Sequence, residues 1–212
     1  MKPMYELAPS THRSAKLLSR TYGYRKPSDV ASSLPSEAVV ADFGSGFSKF
    51  GINIATRRPD ILWLNIDPIY TKKSTHKLQS RAPENIRFLA DSVLDPEDPL
   101  AEGSIDRVFS TALLPHIEFT SHELALTAFH NMATLLKEDG VISVGGFTNY
   151  PNVHLGFLPN KTFSTTAEDY HLQPDLTAEL AISAVKVAVP LSYLQRGANV
   201  AGHYMRLNTQ SR

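Results

Sequence analysis

Ala38-Val39-Val40-Ala41-Asp42-Phe43-Gly44-Ser45-Gly46-Phe47-Ser48-Lys49-Phe50-Gly51 is the stretch on which the fold turns. An apolar run of strand type ends in an aspartate, crosses two glycines and passes into a helical pattern. Phe47, Phe50, Gly51 and Ile54 share one helix face by the i, i+3, i+4, i+7 rule. Arg57 and Arg58 suit the negative end of that helix, and Pro59 stops it. The chain must reverse sharply between strand and helix, and glycine tolerates the positive φ that such a bend needs. Strand, glycine turn and helix in this order are how a doubly wound α/β sheet opens a nucleotide cleft. A tight turn that holds no ligand would use the same glycines.

Working outward, Ile61-Leu62-Trp63-Leu64-Asn65-Ile66 is almost continuously apolar, as a strand buried on both faces should be. It ends at Asp67-Pro68, a carboxylate placed to accept bonds from ribose hydroxyls. A basic, weakly patterned helix is expected over 70–80. Residues 86–90 read as a third strand, ending at Asp91-Ser92-Val93, and 105–111 as a fourth. A loop with Leu113, Leu114, Pro115 and His116 follows at the carboxyl end of the sheet. Thr120-Ser121-His122-Glu123 reads as a capping box. The helix it opens carries Ala125, Ala128, Phe129, Met132, Leu135 and Leu136 on one face. Lys137-Glu138-Asp139-Gly140 is expected to turn the chain into a fifth strand over 141–147. Buried strands alternating with amphipathic helices predict a parallel sheet with right-handed crossovers.

The flanks are less regular. Residues 1–36 predict a helix over 12–22, read either as a lid using Tyr5, His12, Tyr22 or Tyr24, or as a solvated helix packed on the sheet. From 148 to 174 no period holds, so this segment is expected to be irregular, either a wall of an acceptor pocket or a surface loop pinned by its aromatics. Asp175 is expected to cap a helix through about Ala184, and 185–189 with 200–207 to form a closing antiparallel pair. Composition sets further bounds. A length of 212 residues fits one domain, and 42% hydrophobic with 20% charged residues is ordinary for a soluble one. Zero formal net charge gives no general pull towards nucleic acid or membrane. The absence of cysteine excludes disulfides, thiolate metal sites and a cysteine nucleophile. Asp95, Glu97, Asp98 and Glu102 lack calcium-loop spacing, so no metal is expected. With neither a bilayer-length apolar run nor a signal-peptide pattern, a cytoplasmic protein is expected.

Asp42-x-Gly44-x-Gly46 lacks the third glycine of a dinucleotide fingerprint, which would fall at Lys49. It resembles instead the first motif of the class I S-adenosylmethionine-dependent methyltransferases. Residues 105–147 are similar to the small-molecule branch of that family: Asp106 and Val108 on the fourth strand, Leu114 and His116 after it, and a Leu136-Lys137-x-x-Gly140 turn. The resemblance spans 38–147. One departure is Ser48, where many members carry a further glycine. It implies an α/β fold: a doubly wound, mostly parallel seven-stranded sheet, Rossmann-like, with an antiparallel strand near the C-terminus. One domain is implied, with a helical lid over 1–36, a donor-binding core over 37–147 and an acceptor side over 148–212. The implied cofactor is S-adenosyl-L-methionine. Asp42, Gly44, Ser45 and Gly46 would hold its methionine end, Asp67 its ribose, and Asp91, Ser92 and Val93 its adenine, with Thr111 beside them. His116 is the candidate general base, since imidazole titrates near neutral pH. No Asn/Asp-Pro-Pro-Tyr/Phe loop follows the fourth strand, so a small-molecule or peptide acceptor is expected of a monomer or homodimer. Nucleic acid is a disfavoured partner, although the basic N-terminal segment keeps an RNA methyltransferase as a lesser alternative. A non-catalytic nucleoside-binding subunit and a nicotinamide-dependent dehydrogenase are the alternatives from other classes.

Overall fold

The computed structural model describes residues 15–22, 24–47, 49–95, 100–111, 113–118, 121–145 and 162–179. Its centre is β1 (Val39–Phe43), flanked in parallel by β2 (Leu62–Ile66) and β4 (Ile105–Thr111). β3 (Ile86–Leu89) lies outside β2, and β5 (Leu136–Gly145) lies outside β4, both parallel. β6 (Thr162–Thr166) pairs antiparallel with β5, giving the order β3-β2-β1-β4-β5-β6. Strand order therefore reverses between β1 and β4, the crevice where doubly wound sheets bind ligands at the carboxyl ends of the strands.

Successive residues of a strand point to opposite faces, and each face of this sheet has its own core. Val40, Trp63, Ile86, Phe88 and Phe109 lie under α1 (Ala15–Thr21), α2 (Pro27–Ser33) and α3 (Phe50–Ala55). Ala41, Phe43, Leu64, Ile66, Val108, Ile142 and Val144 lie under α5 (Leu113–Glu118) and α6 (His122–Thr134). The basic helix after β2 is α4 (Lys72–Gln79), opened by a reciprocal Thr71/Ser74 cap. Trp63 is the hinge of the first core: it stacks on Phe109 at 5.7 Å and meets the edge of Phe50 at 5.5 Å. Gly51 is what lets α3 close on it, because a Cβ there would stand 2.2 Å from Trp63 Nε1. No helix among the described residues is long and apolar enough to cross a membrane.

Several expectations are corrected. Residues 113–118, read as a loop, form α5: Pro115 falls in the first turn, where its missing N–H costs nothing. Leu114 and Ile117, three apart, are buried on the α6 side. The cap of α6 is Ser121 rather than Thr120, its hydroxyl accepting the Leu124 N–H at 3.3 Å. Lys137-Glu138-Asp139-Gly140 is not a turn ahead of the strand but an irregularity within β5, where the register slips from Ile105↔Leu136 to Arg107↔Val141. Lys137 Nζ there reaches both oxygens of Asp106 at 2.8 and 2.9 Å, and Asp106 also accepts the Val39 N–H at 2.7 Å. Arg58 does not serve α3. Its guanidinium donates to the carbonyls of Ala31, Leu34 and Pro35 at 2.7, 3.0 and 2.7 Å, fastening the end of α2, while Asp60 holds it in place. Part of the stretch expected to be irregular is ordered as β6 and α7 (Ala167–Leu172), followed by a helical run over 174–179. Tyr22, named as a lid residue, is 5% exposed and packs on Phe50 and Phe109. Tyr5, His12 and the pair 185–189 and 200–207 lie outside the described residues.

Candidate functional site

The glycine turn hangs from the end of β1. Gly44 and Gly46 take φ of +69° and +54°, the left-handed region that a side chain resists. The Gly44 N–H donates to the Ile66 carbonyl at 2.9 Å, so the turn stays tied to β2 as it leaves the sheet. One residue later the tie passes to a side chain. Asp67 Oδ2 accepts the Gly46 N–H at 2.8 Å, and Oδ1 accepts the Ile69 N–H at 3.0 Å. Each carboxylate oxygen therefore retains a lone pair for an incoming hydroxyl. Burial raises the Asp67 carboxyl above its ordinary value, against the pull of those two N–H groups.

A third fastening was not visible in the sequence. Tyr70 donates its single hydroxyl proton to the Gly46 carbonyl, so Ser45 Oγ, 2.9 Å from the phenol oxygen, is the donor in the Ser45–Tyr70 bond. The Tyr70 ring is gripped by Phe47 and Phe88 at 5.9 and 5.7 Å. Burial drives the phenol far above its usual value, with Asp67 and Asp42 adding to the shift, which keeps the proton this bond needs. The residue follows Asp67-Pro68 closely, but no spacing rule links an aromatic there to a turn more than twenty residues back. Tyr70→Phe is expected to keep the fold and loosen the turn, weakening ligand binding by roughly three- to tenfold, the worth of one neutral hydrogen bond. Binding titrations of the variant, with thermal melts as a control, check this.

Asp42 is the odd member. It is 4% exposed, and among the described residues no donor makes a hydrogen bond to its carboxylate. Burial first, and then the charge of Asp67, raise it well above the carboxylate range. Its register partners are Asn65 on β2 and Phe109 on β4. A buried carboxylate without a partner is costly, and a cation brought to it by a ligand relieves that cost.

Asp91, Ser92 and Val93 form a second group on the α6 side. They line a cleft of about 200 Å³ with Phe43, Ile66, Leu100, Asn131 and others. Asn131 Nδ2 donates to the Val93 carbonyl at 2.7 Å, and Asp91 Oδ1 accepts the Ser92 N–H at 2.7 Å, so this loop is tied to α6 and to itself. Phe43 and Ile66 directly precede Gly44 and Asp67, which brings the two groups to one rim of the sheet. Thr111 is the last residue of β4, paired with Gly145, and His116 lies on α5. The side chains of both are outside the described residues. Among the described residues no group of three His, Cys, Asp or Glu side chains is arranged to hold a metal ion.

No family model matches the sequence, and no curated protein matches it. Solved structures are similar to it in fold. A TehB-like SAM-dependent methyltransferase from Corynebacterium glutamicum is 17% identical over 61% of this chain and 61% of its own, with a TM-score of 0.44. The [4+2]-cyclase SpnF is 13% identical over 62% of this chain and 43% of its own, with a TM-score of 0.45. The 1,6-didemethyltoxoflavin-N1-methyltransferase of Burkholderia thailandensis, solved with 1,6-didemethyltoxoflavin and S-adenosylhomocysteine bound, is 20% identical over 79% of this chain and 66% of its own, with a TM-score of 0.48. The chain thus spans about four tenths to two thirds of the length of these three structures, two of them named as methyltransferases and one as a cyclase.

Proposed function

We propose that the chain is a class I methyltransferase that binds S-adenosylmethionine at the carboxyl ends of β1, β2 and β3 and passes its methyl group to a small-molecule acceptor. The observation that carries this reading is Asp42: a buried carboxylate, without a hydrogen-bond partner among the described residues, beside a side-chain-free bend at the point where strand order reverses. The donor's ammonium is the cation such a carboxylate accepts. Asp67, with a lone pair left on each oxygen, suits the two ribose hydroxyls. The cleft with Asp91 and Val93 suits adenine, an acceptor for the amino group next to apolar cover. A nicotinamide dinucleotide is disfavoured by Lys49, which stands where its fingerprint carries the third glycine, the one that allows close helix–strand packing.

When bound, S-adenosylmethionine supplies a methyl carbon on a sulfonium, open to in-line displacement. The protein's share is to hold that carbon and the acceptor at attack distance and alignment. Asp42, Ser45, Gly46 and Asp67 do the holding through a turn that Tyr70 braces. His116, on the helix that follows β4, is proposed as the base that takes the acceptor's proton. His116→Ala is then expected to lower turnover by about a hundredfold, at unchanged donor affinity, for an acceptor that must lose a proton. Full turnover would remove it from that role. Calorimetric titration with S-adenosylmethionine, S-adenosylhomocysteine and NAD tests the donor assignment: the first two are expected to bind and NAD is not. Absence of binding at millimolar donor overturns it.

A further inference from the structure

We propose that Asn65 is a positioning residue: its side-chain amide, oriented by Trp63, steers the Asp42 carboxylate towards the amino group of the bound nucleoside's amino-acid tail. This rests on the nucleoside reading above and adds a residue to it. Asp42 and Asn65 are register partners on parallel strands, about 4.8 Å apart, so their side chains stand side by side on one face of the sheet. Trp63, two residues before Asn65, shares that face, and its Nε1–H donates to Asn65 Oδ1 at 3.2 Å. An indole N–H only donates, so the oxygen of the amide must face Trp63 and the NH2 must face away. That NH2 is buried and has no partner among the described residues, on a residue 1% exposed.

Trp63 is not free to retreat. Phe109 stacks on it, Phe50 meets its ring, and Gly51 leaves room for the indole and nothing more. Among the described residues the sheet therefore holds a buried donor without an acceptor next to a carboxylate to which no donor is bonded. Arg107, further back on β4, turns to Ser143 Oγ at 3.3 Å instead. In the free protein burial penalises the charged form of Asp42 and raises its carboxyl well above the usual carboxylate range. An ammonium arriving at Asp42 reverses this. The ionised carboxylate is then favoured, and the Asn65 amide becomes a charge-assisted donor that fixes which oxygen faces the ligand. Its effect should therefore reach only ligands that carry the ammonium.

The test compares S-adenosylhomocysteine with 5′-methylthioadenosine, which keeps the nucleoside and lacks the amino-acid tail, on wild type and Asn65→Leu by calorimetry. The expected result is a loss of about tenfold for S-adenosylhomocysteine and an unchanged affinity for 5′-methylthioadenosine. Equal losses for both ligands would mean that Asn65 merely supports the fold, and no loss for either would mean that it is idle; both overturn the inference. Wild type binding neither ligand would instead overturn the nucleoside reading beneath it. Asn65→Ala, which adds no bulk, is the second variant should Asn65→Leu fail to fold.

Discussion

Asp42→Asn is expected to make the free protein more stable at neutral pH and to weaken donor binding on the order of a hundredfold. The two effects have one cause. Asp42 is buried, lacks a hydrogen-bond partner among the described residues and sits within reach of the Asp67 charge; burial first, and then that charge, raise its carboxyl well above the usual range. For a carboxyl raised by folding, the unfolded chain ionises first, at a pH of about 4. Stability is therefore lost as pH climbs from there through the folded value, and it is intact in acid. The amide of the variant carries no charge and escapes that loss. Its melting temperature should exceed that of wild type at neutral pH, with the gain fading as the buffer is made acidic. Binding runs the other way, because pairing with an ammonium requires the ionised form. Wild-type affinity should fall as pH drops below the raised value, approaching about tenfold per pH unit, and the variant should lose that dependence. Melts and titrations at three pH values check both; a less stable variant, or one that binds normally, would contradict the assignment.

Asp67→Ala is the second large effect. Two hydroxyls accepted by one carboxylate are charge-assisted bonds, and losing both is expected to cost well over tenfold in donor affinity. The substitution also frees the Gly46 and Ile69 N–H groups, but the β1–β2 ladder is made by backbone bonds and remains. The fold should therefore survive, and KM for the donor should rise much more than kcat falls. Unchanged affinity would remove Asp67 from the ribose.

Parallel strands covered on both faces leave a plain trace in sequence, and β1 and β2 read as apolar runs for that reason. Asp42 and Asp67 were legible too, since each ends such a run. What escaped notice depends on partners far along the chain. Thr162-Phe163-Ser164-Thr165-Thr166 has strand-forming residues but no apolar alternation, so β6 was hidden. Pro115 reads as a helix breaker unless the first turn is known to begin at Leu113. Gly51 passed for a core-facing position of α3, when its purpose is the indole opposite. Tyr70 and Asn65 look like an ordinary aromatic and a polar lapse in a buried strand. Only the fold sets one on the Gly46 carbonyl and the other beside Asp42.

A crystal structure with S-adenosylhomocysteine tests the central claim most directly. The ligand is expected along the carboxyl rim of the sheet, with its ammonium on Asp42, its ribose hydroxyls on Asp67 and its base in the cleft of Asp91 and Val93. A ligand bound elsewhere, with Asp42 and Asp67 untouched, would contradict it.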